Sequence, residues 1–210
     1  MWYKCKCFFF IIQIYFIFAT NLIIYYMDIA QQKRKENIAE YILYLWQIED
    51  LLRALQFSPE AIYTTLIKPR KLDTAQEQML LAWYMDIANL LAQEKKEQSG
   101  HLDHTLHLIS DLHDLHLRLM QQQELGEDYR LRYAELAQHL STLRACFGKE
   151  NEINDTELCF RALYAAMLYR IKGEGEKAVA DTIEVVSPAI ALLTSYYHKV
   201  ERGEIDLFKE

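Results

Sequence analysis

The chain has 210 residues and a formal charge of −7, which argues against a nucleic-acid binder, because clustered Lys and Arg supply most of that affinity. Three prolines and six glycines leave little material for the turns of a many-stranded sheet. At this length one domain is expected, large enough to bury about 70% of the surface that the unfolded chain exposes. The expectation is an all-α, compact, single-domain bundle of about seven helices, with a domain at 27–203, an apolar extension at 1–26 and a tail at 204–210.

Residues 1–26 hold five of the nine phenylalanines and no Asp or Glu. Three readings compete. A membrane anchor over residues 8–26 is just long enough, although Gln13 and Asn21 weaken it. A signal peptide would use Lys4 and Lys6 as its charged start but lacks a cleavage site. An upstream start, with Met27 as the first residue, fits a stretch dominated by Phe, Ile, Tyr, Lys and Asn. An anchor followed by Lys33, Arg34 and Lys35 would place the body in the cytoplasm. Cys5, Cys7, Cys146 and Cys159 form no CxxC pair, so a disulfide framework is not expected.

Over 28–55, Ile38, Tyr41, Ile42, Leu45, Ile48, Leu52 and Leu55 recur at helical spacing. Leu43, Tyr44, Trp46 and Leu51 add apolar bulk off that stripe. This first helix therefore either touches neighbours on several sides or offers an interaction surface. Ser58 and Pro59 open a short second helix that ends before Pro69. Asp73 and Gln76 make a capping-box start for a third, expected to run to about Gln98 with Gly100 as its stop. The fourth spans about 101–123. The fifth carries Tyr133, Leu136, Leu140, Leu143 and Phe147 up to Gly148. Asn154 and Glu157 cap the sixth, which ends at Gly173. The last runs from about Glu174 to Arg202, with Ser187-Pro188 either kinking or splitting it.

No phosphate loop, dinucleotide fingerprint, nucleophile elbow, HExxH or EF-hand loop is present. The fourth helix carries five of the seven histidines. At about 100° per residue, Leu102, Leu106, Leu108, Ile109, Leu112, Leu115 and Leu119 share one face, while Asp103, His104, His107, Asp111 and Asp114 gather opposite. His104, His107 and Asp111 are the residues a metal would first attract. Their outer members lie about 10 Å apart along the axis, and His139 is the one obvious outside donor. Specific metal binding is therefore not expected, nor is any cofactor. His113 and His116 project among the leucines, and Glu49 lies on the apolar face of the first helix with Arg53 one turn on. These four residues could form a pocket for a small ligand or a reaction. The alternative is a Glu49–Arg53 structural pair beside two hydrogen-bonded histidines, because a buried charge needs a partner.

The stretches NIAEYILYLWQIEDLLRAL (37–55), SGHLD (99–103), DLHDLHLRLM (111–120) and ELCFRALYAAMLYRIKGE (157–174) resemble uncharacterised Bacteroidetes proteins grouped as domain of unknown function 4924. The resemblance covers nearly all of 27–210. It implies a small bacterial cytoplasmic protein whose relatives begin near the equivalent of Met27, and it carries no activity, cofactor or catalytic residue with it. The function expected from the residues is a non-enzymatic interaction or oligomerisation domain, using Leu43, Tyr44, Trp46 and Leu51 towards another protein or a second copy. The competing expectation is a ligand-binding protein or enzyme built on Glu49, Arg53, His113 and His116.

Overall fold

The computed structural model describes residues 26–122, 124–147 and 153–206. The stretch 1–25 with its three readings, Gly148 as a helix stop, and residues 207–210 of the tail lie outside the described residues. Among the described residues every regular element is helical. In chain order they are α1 (Tyr26–Glu36), α2 (Ile38–Ala54), α3 (Pro59–Ile62), α4 (Thr74–Gln93), α5 (Asp103–Gln121), α6 (Glu127–Ala137), α7 (Leu140–Phe147), α8 (Asp155–Lys172) and α9 (Glu176–Glu201). A π turn at Tyr63–Ile67 and a 3-10 turn at Lys68–Arg70 prolong α3.

These elements cluster into two compact units. The first holds the described residues up to Glu36 together with Glu40–Thr105, and the second holds Asn37–Ala39 with the chain from Leu106 onward. In the first unit α2, α3, the π turn and α4 surround one core. Leu45, Ile48, Leu52, Ile62, Leu66, Tyr84 and Leu91 fill it. In the second unit α8 packs on α9, α6 on α9 and α7 on α8.

Several ends follow the side-chain chemistry directly. Ser58 accepts from the amide of Ala61, Asp73 and Gln76 close a reciprocal capping box, and Asn154 accepts from Glu157 N at 2.8 Å. Gly173 takes the left-handed conformation that ends α8. Pro188 sits inside α9, which continues through it to Glu201, so the last helix is not split. That helix is long and apolar enough, by length and composition, to cross a membrane. Here Val186, Ala189, Ile190 and Leu193 are buried within the second unit.

Three boundaries depart from the sequence reading. The first long helix is two, because the Asn37 side chain accepts from Ala39 N at 3.1 Å and Ile38 N donates to His198 Nε2 at 3.2 Å. Those two bonds satisfy amides that a fresh helix start exposes. The third helix ends at Gln93 rather than Gln98, in a Schellman turn. Lys96 N bonds Leu91 O at 2.7 Å and Lys95 N bonds Ala92 O at 3.1 Å, with Lys95 at φ 57°. The fifth helix divides at Gln138–His139 into α6 and α7.

Burial along α2 sorts the four residues that carry its extra apolar bulk. Trp46 is fully buried and Leu51 nearly so, whereas Leu43 and Tyr44 are half-buried. Trp46 and Leu51 therefore belong to the interior of the chain and cannot face a partner. A helix enclosed on several sides, not a free surface, accounts for them.

Candidate functional site

Two buried polar clusters and one surface groove collect the chemistry-bearing residues, and each lies within a single unit. In the first unit Glu49 is 0% exposed. A carboxylate taken out of water costs several kcal/mol unless partners compensate, and Glu49 has three. Its Oε2 lies 2.8 Å from His101 Nδ1, its Oε1 accepts from Leu102 N at 3.2 Å, and the Arg53 guanidinium stands 3.9 Å away. Arg53 in turn donates to Asp50 at 2.8 Å and twice to the carbonyl of Lys96, at 3.2 and 3.0 Å. The ring of His101 lies flat on Trp46, with centroids 3.8 Å apart and planes within 9°. Trp46 Nε1 donates to Thr105 Oγ1 at 3.0 Å, and that hydroxyl donates to Leu102 O at 2.8 Å.

The Glu49, Arg53–Lys96 and Trp46 links tie α2 to the connector between α4 and α5 or to the first turn of α5. Glu49 supplies in trans the acceptor that a helix start requires. The foreseen Glu49–Arg53 pair exists, but His101 is the closer partner. Chemically the arrangement anchors the chain.

The second unit holds the other two foreseen pocket residues, His113 and His116. His116 is buried, with Nδ1 at 2.7 Å from the Tyr129 hydroxyl and its ring 4.4 Å from that of Tyr133. Burial, and then the neighbouring His113, lower the His116 pKa. Burial raises that of the Tyr129 phenol, and the nearby Tyr133, Cys159 and Asp155 add to the rise. Both directions favour neutral forms of the two groups that share this hydrogen bond.

Tyr133 donates to Asp155 Oδ2 at 2.7 Å, and Arg144 pairs with Oδ1 of the same carboxylate while donating to Ile153 O at 3.0 Å. Burial pushes the Asp155 carboxyl up. Donation from Tyr133 and Arg144 outweighs that and holds it below the usual value. His113 Nδ1 lies 3.2 Å from Thr156 Oγ1. Cys159 is buried beside this group, and burial pushes its thiol up to about 12, far from a reactive thiolate.

The structure thus brings Glu49 and Arg53 together with His101 in the first unit. It sets His113 and His116 among Thr156, Tyr129 and Tyr133 in the second. His101, Thr105, Tyr129, Tyr133, Arg144 and Asp155 are the members that sequence reasoning did not assign. Tyr129 and Tyr133 do carry a signal, being one turn apart on α6. Their partner, however, is fixed by packing.

His104, His107 and Asp111 lie on the exposed face of α5 with Asp103 and Asp114, as the helical projection places them. His104 Nε2 lies 3.1 Å from the Tyr41 hydroxyl. Among the described residues no group of three or more His, Cys, Asp or Glu side chains is arranged to hold a metal.

The groove lies on the outer side of α6. Leu131, Ala134 and Gln138 line it with Pro188 and Leu192 of α9, together with the charged Asp128, Arg132 and Glu135. It encloses about 720 Å³ and is open to solvent. Tyr196 of α9 donates to Asp128 Oδ1 at 2.7 Å, which fixes the spacing of the two helices. Leu131 is 64% exposed, the highest value for any large apolar side chain among the described residues.

The family model described as "Domain of unknown function (DUF4924)" matches residues 27–204. The chain belongs to this family. The DUF4924 match spans α2–α9 in full and so includes both polar clusters and the groove. Neither the curated proteins nor the solved structures provide a match to this member of the family.

Proposed function

We propose that the chain is a non-enzymatic protein-interaction domain and that the α6–α9 groove is the face that receives the partner. The observation carrying this reading is Leu131, held 64% exposed in a groove lined by apolar and charged side chains. Interfaces take this form: an apolar centre that holds the anchor residue, and a polar margin. The buried polar clusters support the same reading. Both carboxylate oxygens of Glu49, Nδ1 of His116 and both carboxylate oxygens of Asp155 are engaged by the protein's own side chains and amides. A catalytic acid or base instead has to reach a substrate proton. A cytoplasmic setting belongs to this proposal, and the free thiols of Cys146 and Cys159 suit a reducing compartment.

The test is a photo-crosslinking amino acid placed at Leu131 in the full chain, compared with the same group at Tyr169 on α8, which is also exposed. Irradiation in the producing cells is expected to give a polypeptide adduct from position 131 and none from 169. Equal adducts at both positions, or none at 131, would reject the groove as the binding face.

A further inference from the structure

We infer that the occupant of this groove is a second copy of the chain, docked with the two α6 helices antiparallel about a two-fold axis. The inference rests on the interaction-domain reading above and adds the identity of the partner. A two-fold contact uses one patch twice, so that patch must contain both the projection and the recess that receives it. The outer side of α6 does. Leu131 is 64% exposed at the edge of the groove, and Ala134, Pro188 and Leu192 line the groove with it. Ala134 is small enough to let two helix backbones approach closely.

The charges lining the groove are self-complementary in the same sense. Arg132 and Glu135 lie one turn apart, 2.9 Å from each other and 52% and 66% exposed. An antiparallel pairing centred between Tyr133 and Ala134 sets Arg132 of each copy opposite Glu135 of the other. The two intrahelical pairs then become a square of alternating charges. The apolar face of α4 shows why this order matters. Met79 and Leu90 are also exposed there, 58% and 45%, yet α4 contains only acidic charges, Glu77 and Asp86. Pairing that face with itself would oppose like charges. The net charge of −7 repels copies at long range, but at physiological salt that repulsion is screened beyond about 8 Å while contact pairs persist.

The experiment is sedimentation equilibrium of the full chain across a concentration series, with circular dichroism to confirm the fold of each variant. The wild type is expected to show a monomer–dimer equilibrium. Leu131→Asp is expected to weaken it by roughly tenfold or more, since a central anchor is lost. Arg132→Glu weakens it, and adding Glu135→Arg to that variant restores it. A wild type monomeric at every concentration, or a dimer indifferent to Leu131→Asp, would overturn the inference.

The photo-crosslinker at position 131 separates this failure from that of the underlying reading. Adducts that map to α6 or α9 of the same sequence support self-docking. Adducts to a different polypeptide overturn self-docking and leave the interaction-domain reading standing, and no adduct at all overturns both.

Discussion

The Tyr129 hydroxyl and His116 Nδ1 share a hydrogen bond of 2.7 Å in the interior of the second unit. The bond matters more through its loss than its presence, because a buried polar group left without its partner bears its full desolvation cost, about 1–3 kcal/mol. Tyr129→Phe removes the hydroxyl while keeping the ring, and is expected to destabilise the fold by that amount in urea unfolding. His116→Leu in the same background removes the stranded imidazole. The double variant should therefore be less destabilised than the sum of the two single ones. Strict additivity would show that the bond contributes nothing.

Stability should also fall towards both pH extremes, and the sign follows from the direction of each shift. The folded state lowers the His116 pKa through burial and the nearby His113. As pH drops below about 6.5, the unfolded chain takes up this proton before the folded one, so stability is lost. Asp155 is also held below its usual value, where donation from Tyr133 and Arg144 outweighs burial. Its contribution is lost further down, as pH falls through the folded carboxyl's range. In alkali Tyr129, Tyr133 and Cys159 act together, since burial raises all three. Above the ordinary phenol value of about 10 the unfolded chain ionises while the folded one does not, and stability falls again. Chemical denaturation across pH measures this, and the first acid step should flatten in His116→Leu. An unchanged step would assign it to another group.

In the first unit His101→Ala removes both the nearest partner of the buried Glu49 carboxylate and the ring stacked on Trp46. Leu102 N and Arg53 remain, so the expected loss is about 2–3 kcal/mol, below that of breaking an isolated buried pair. Opening that face of the indole should also shift Trp46 fluorescence to longer wavelength. Asp50→Ala is the contrast. Asp50 pairs with the same Arg53 at 2.8 Å but is 38% exposed, so its loss should be within about 1 kcal/mol. Equal effects from the two variants would contradict the anchoring role assigned to Glu49.

What the sequence made legible was whatever is decided within a few residues. The caps at Ser58, Asp73 and Asn154 and the stop at Gly173 are local bonds between a side chain and a nearby amide or a left-handed glycine. The polar stripe from Asp103 to Asp114 is legible because helical periodicity alone sorts it from the leucines. Partners are different. Glu49 and His116 were recognisable as interior polar residues, but His101 lies 52 positions from the first and Tyr129 reaches the second only after the chain reverses. No periodicity encodes that. The break at Asn37 was likewise hidden, because a hydrophobic repeat continues across it and half of its satisfaction comes from His198, 160 residues away.

The stop after α4 was misplaced for a sharper reason, and the reason yields the last prediction. Gly100 was expected to end the helix, yet the left-handed residue of the Schellman turn is Lys95, at φ 57°. A β-carbon in that conformation costs about 1–2 kcal/mol. The turn persists because Lys96, the next residue, is held by Glu94, Asp103 and the Arg53 bonds to its carbonyl. Lys95 itself is exposed. Replacing it with glycine removes the strain but frees the unfolded chain, an opposing effect of about 0.4–1 kcal/mol. The difference favours the folded state, so Lys95→Gly should stabilise the protein by roughly 0.5–1 kcal/mol. Lys95→Ala keeps the β-carbon and should leave stability nearly unchanged. Thermal unfolding of the two variants decides it: a stabilisation shared by alanine, or absent from glycine, would mean that backbone strain at this turn is not what limits it.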